Sequence, residues 1–79
     1  MERKGHMMVN TPEMYEIVIK GHLSDYLENQ FEMLEIRREE SGNTILSGLL
    51  DQSGLHGVLN QISNLGLTLI AVNQVDEVE

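Results

Sequence analysis

The chain has no cysteine, no tryptophan and a single proline, and its only aromatic residues are two tyrosines and one phenylalanine. Without cysteine, neither a disulfide nor a thiolate metal cage can reinforce the fold, which excludes a disulfide-stapled secreted scaffold. The shortage of rings argues against a single-stranded RNA platform, which stacks bases on exposed aromatics of a sheet. Basic residues are scarce as well: five Lys/Arg stand against thirteen Asp/Glu, for a formal net charge of -8. Phosphate contacts and anionic membranes both call for Lys/Arg surface, so neither a nucleic acid nor a membrane is an expected partner. No apolar run reaches the roughly 18 residues of a transmembrane span. Met1 to Met8 carries Arg3 and Lys4 with no long apolar segment behind them, unlike a signal peptide. These absences together lead us to expect an acidic, cytoplasmic protein.

What is present is enough for one domain. A chain of 79 residues buries only roughly 60% of its unfolded surface, so its core is thin and oligomerisation is the common supplement. We expect a flexible leader over 1–13, one domain over 14–75 and an acidic tail over 76–79.

Within the domain the apolar pattern alternates between two periods. Tyr15, Ile17 and Ile19 share one side of a period-two run, a half-buried strand closed by Gly21-His22. Ser24 is a natural N-cap and Asp25 suits the first turn, with Leu27, Phe31 and Leu34 following at helical spacing; a helix over about 24–33 is predicted. Leu34 to Glu39 reads as an edge strand with charged residues, and Gly42 lies in a hairpin loop over 40–43. Thr44 to Leu50 is apolar on both faces, as a central strand should be, with Gly48 marking a close approach by a helix or a bulge. Leu55, Val58, Leu59, Ile62 and Leu65 make one helical stripe, capped ahead by Asp51 to Ser53 and ended by Gly66. Leu67 to Val75 is the last strand.

Strand, helix, strand, strand, helix, strand, with right-handed crossovers, gives an α+β, ferredoxin-like βαββαβ sandwich. The sheet is four-stranded and antiparallel in the order 4-1-3-2, with both helices on one face; a swapped dimer of the two halves is the alternative. The helix side takes Tyr15, Ile17, Ile19, Leu34 and Ile36. The other side takes Val18, one of the pairs Ile45/Leu49 and Leu46/Leu50, and one of Ile70/Val72 and Leu67/Leu69. Such a face is too apolar to leave in water, so a homo-oligomer is expected, formed through the open sheet face or through edge strands.

Chemistry-bearing residues are sparse. Asp51-Gln52-Ser53-Gly54-Leu55-His56-Gly57 joins a strand to a helix N-terminus, where free N–H groups can hold an anion. We take Asp51, Ser53, Gly54, His56 and Gly57 as the candidate ligand-binding set, with a helix cap and a surface or packed histidine as the structural alternative. If Asp51 and His56 touched, they would form an orienter and a base; they are the only candidates for catalysis, and whether the chain is an enzyme stays open. Gly54 and Gly57 either let backbones approach or floor a ligand site. No phosphate loop and no nucleophile-elbow serine is present. His22 with Asp25 falls short of the three or four ligands zinc needs, so no metal and no cofactor is expected.

Tyr15 to Leu23, Thr44 to Gly48, the Asp-Gln-x-x-Leu-His-Gly segment at 51–57 and Ile62 to Leu67 together resemble a group of small uncharacterised bacterial and archaeal proteins of this length. The resemblance covers residues 15–72 and implies a stand-alone domain, with no catalytic residues to carry over. Three functions remain open: a self-associating protein-interaction or regulatory domain, a small-molecule sensor using the 51–57 segment, and a small enzyme using His56.

Overall fold

The computed structural model describes residues 11–75; most of the expected leader and all of the acidic tail lie outside them. Among the described residues, four strands and two helices follow in the expected order. They are β1 (Glu13–Ile19), α1 (Asp25–Asn29), β2 (Glu35–Arg38), β3 (Thr44–Leu50), α2 (Gln52–Asn64) and β4 (Leu69–Val75). The sheet order is β2-β3-β1-β4 and every pairing is antiparallel. This is the ferredoxin-like βαββαβ sandwich that the apolar periods predict.

The central pair sets the register. Ile17 lies opposite Leu46, and Ile19 opposite Thr44; all four are fully buried. Around them Tyr15, Leu23, Phe31, Leu34, Leu50, Leu55 and Ile62 complete the core. The helix-side set named from alternation is therefore the one that packs, with Ile36 half-buried against it.

Turn chemistry explains the joints. Gly42 N–H donates to Glu39 O at 2.9 Å and Glu39 N–H to Asn43 O at 2.8 Å. Gly42 has φ of 102°, the left-handed residue that a type I turn with a G1 bulge demands. At the end of α2, Gly66 N–H reaches Ser63 O and Leu67 N–H reaches Ile62 O, with Gly66 at φ 77°. That is a Schellman motif, which satisfies two end carbonyls and turns the chain towards β4.

Three expectations need correction. The first helix is shorter than 24–33, because the chain leaves the helical ladder after Asn29. Gln30, Phe31 and Leu34 donate to carbonyls three residues back, and the Gln30 carbonyl instead accepts from Gln61 Nε2 at 3.0 Å. The close approach at Gly48 comes from a side chain, neither a helix nor a bulge: a Cβ there would lie 2.7 Å from Leu34 Cδ2, and β3 stays in unbroken register with β1. In β4 the alternation does not hold. Val18 faces Ala71 but Ile19 faces Leu69, so Ile70 is an extra residue, and Leu69 and Val72 share the helix side. Neither Ile70/Val72 nor Leu67/Leu69 therefore forms the open-face set.

The open face is also less apolar than expected. From β3 it receives Ile45 and Leu49, the first of the two alternatives. Through its middle runs a polar row: Glu35 opposite Ser47, Ser47 opposite Glu16, Glu16 opposite Asn73. Arg37 Nη2 sits 3.8 Å from Glu16 Oε2. That pair is exposed and contributes little stability, but it keeps the row charged.

Replacing Gly48 by alanine should destabilise the domain by about 1–3 kcal/mol, because Leu34 is buried and cannot swing aside freely. Urea unfolding of G48A checks this; a midpoint equal to that of the parent would show that Leu34 relaxes at no cost.

Candidate functional site

The 51–57 segment folds as a capped helix start. Asp51 is extended and its Oδ1 accepts from Gly54 N–H at 2.7 Å, the reason an acidic side chain suits this junction. The carboxylate is thereby committed to the backbone. Ser53 and His56 project from α2 and are exposed. Among the described residues no hydrogen bond joins Asp51 to His56, so the structure does not bring together an orienter and a base.

Gly54 and Gly57 do meet at a feature. They lie along a groove of about 460 Å³ between the first half of α2 and the 29–34 segment. Phe31, Leu34, Leu50 and Val58 supply its apolar lining. Gln61 stands at its edge and ties the two walls together through the bond to Gln30 O. Of the five ligand candidates, only the two glycines border this space. The volume falls within the range of small-molecule clefts.

The two glycines have different causes. A Cβ at Gly54 would stand 3.1 Å from Asp51 Oδ1 and 3.3 Å from Leu50 Cδ2, so the cap itself favours a residue without one. At Gly57 a Cβ would meet nothing within 4 Å. Packing explains the first and not the second, although a helical glycine costs about 1 kcal/mol relative to alanine.

Sequence reasoning missed the opposite wall: Asn29, Gln30, Glu32 and Met33. They lie in the stretch read as helix, and a helix would have turned part of this set away. No local signal marks them; the bond from Gln61 that holds this segment against α2 is long-range.

His22 caps the other end of the sheet. Its Nε2 lies 3.3 Å from Glu39 O, while Thr44 Oγ1 donates to Gly21 O at 2.7 Å. Among the described residues, no three of His, Asp and Glu converge as a metal site requires.

One protein family matches the chain, over residues 14–73; its description is Domain of unknown function (DUF8691). Searches of curated proteins and of solved structures returned no match.

Gly57→Ala should raise stability by about 0.5–1 kcal/mol, since it gains helix propensity without a clash. For a domain of this size that is a melting-temperature rise of about 2–8 °C. Gly54→Ala should not show the gain, and equal rises in both variants would refute the distinction.

Proposed function

The chain belongs to the DUF8691 family, and we propose that it serves as a self-associating protein-interaction domain. One observation carries this reading: three of the large apolar residues open to solvent, Leu69, Ile70 and Val72, fall together on the edge strand β4. Leu49 is exposed on the other face of the sheet, and Tyr26 and Met33 lie off the sheet; an apolar run along one edge marks an interaction site. The composition is consistent with this, because a thin core gains most from association. The Asp51–Gly57 segment fits the same reading as a structural cap of α2.

A second reading, small-molecule sensing, draws on the groove beside α2 and on the unpacked Gly57. It differs from the first in one measurable way. A sensor loses affinity when Gly57 is replaced by a bulky residue such as phenylalanine, which would fill the groove, and an interaction domain keeps its assembly state. His56→Ala is expected to be silent in both.

Sedimentation velocity from micromolar to millimolar protein tests the main reading. We expect a concentration-dependent dimer or larger species. A single monomeric boundary throughout would sink the proposal, and a ligand-dependent thermal shift abolished by Gly57→Phe would favour the second.

A further inference from the structure

The two edges of the sheet are unlike each other. β2 is four residues long and three of them, Glu35, Arg37 and Arg38, are charged; this is how natural sheets protect an edge. β4 is seven residues, Leu-Ile-Ala-Val-Asn-Gln-Val, with no charge and no proline. Neither helix covers it well: Leu69 is 42% exposed, Ile70 50% and Val72 36%. Long, neutral and apolar, this edge lacks the usual defences against pairing with another strand.

Resting on the self-association reading, we infer that the partner is a second copy of this chain, joined edge to edge through β4 in antiparallel register about Asn73. The self-association reading supplies the copy, and charge selects the edge. At net charge -8, two copies repel wherever their acidic surfaces meet. A face-to-face dimer would bury the polar row holding Glu16 and Glu35, answered mainly by Arg37, and desolvating unpaired carboxylates is costly. β4 is the strand where two copies meet without apposing any charge.

Backbone alternation then fixes the register. Lys20 N–H donates to Thr68 O, so Lys20, Val18 and Glu16 turn their backbone groups towards β4. Asn73, opposite Glu16, spends its own groups on that strand. Val72 and Gln74 consequently turn theirs outward, where no strand lies among the described residues. The bulge at Ile70 limits the regular stretch to Ala71–Val75, whose midpoint is Asn73. A twofold there sets Asn73 against Asn73 and Val72 against Gln74, and it prolongs the sheet to eight strands. The antiparallel sense follows from ladder geometry, because antiparallel hydrogen bonds run perpendicular to the strands and pair slightly more stably per residue than the slanted bonds of a parallel pair.

The absence of cysteine makes the test clean. Asn73→Cys places one thiol per chain at a non-hydrogen-bonded pair, where Cβ separations of about 4.5–5.5 Å approach those of a disulfide. Leu49→Cys reports on the open face. Gln74→Pro deletes an outward N–H and one exposed side-chain bond to Glu13 but no ladder bond to β1, so its monomer should keep its fold. We expect the parent to sediment as a dimer and N73C to form a disulfide-linked dimer under mild oxidation. L49C should stay uncrosslinked, and Q74P should fall to half the mass with unchanged circular dichroism. A folded Q74P that remains dimeric, or cross-linking of L49C in place of N73C, overturns the β4 edge and leaves self-association standing. A parent that is monomeric at every concentration overturns both. Should Q74P fail to fold, the two cysteine variants decide alone.

Discussion

Everything in this domain hangs on the contact between Ile17 and Leu46. They face each other across the central pair of strands, and neither has any exposed surface. A chain this short has one layer of core, so the helices and the outer strands must all address the same side of that pair. Phe31, Leu55 and Ile62 reach it from the helical layer, and the strands beyond supply what area remains. Shifting the pair by one residue would send the whole buried set to the open side, which is why no part of the fold can be altered independently of it.

Much of this was legible in order and period. Alternation at Tyr15, Ile17 and Ile19, the stripe from Leu55 to Leu65, the cap at Asp51 and the glycine at position 66 each act within a few residues, and each stands where local chemistry put it. What escaped was decided at long range. The unwound segment after Asn29 is held by Gln61, which lies 31 positions away from the carbonyl it binds. The reason for Gly48 is the side chain of Leu34, from a different part of the chain. The bulge at Ile70 is a matter of how β4 meets β1, and a run of aliphatic residues carries no mark of which one is extra.

The candidate site divides along the same line. The 51–57 segment stood out because polar and flexible residues cluster there, but the clustering has a local cause: an acidic cap and the glycine that accommodates it. The space that could receive a ligand is formed by that helix and a segment roughly 25 residues earlier in the chain. Only Gly57, a weak helix former with nothing against it, linked the two in the sequence. Open-face polarity has a similar origin, since Glu35, Ser47, Glu16 and Asn73 line up only when four separate strands are laid side by side.

The position of β1 in the sheet has a bearing on how the domain assembles in time. It is the first of the described strands to be made, yet one of its neighbours is the last of them: Ile19 pairs with Leu69, whereas the β2–β3 hairpin closes between Arg38 and Thr44. Closing the longer loop costs about 2 kcal/mol more chain entropy than closing the hairpin. On a ribosome the middle of the chain can therefore order early, while β1 keeps an open flank until the C-terminal strand has emerged. For that interval the strand destined for the centre of the sheet is itself an edge, and vectorial synthesis leaves the completion of the sheet until the end.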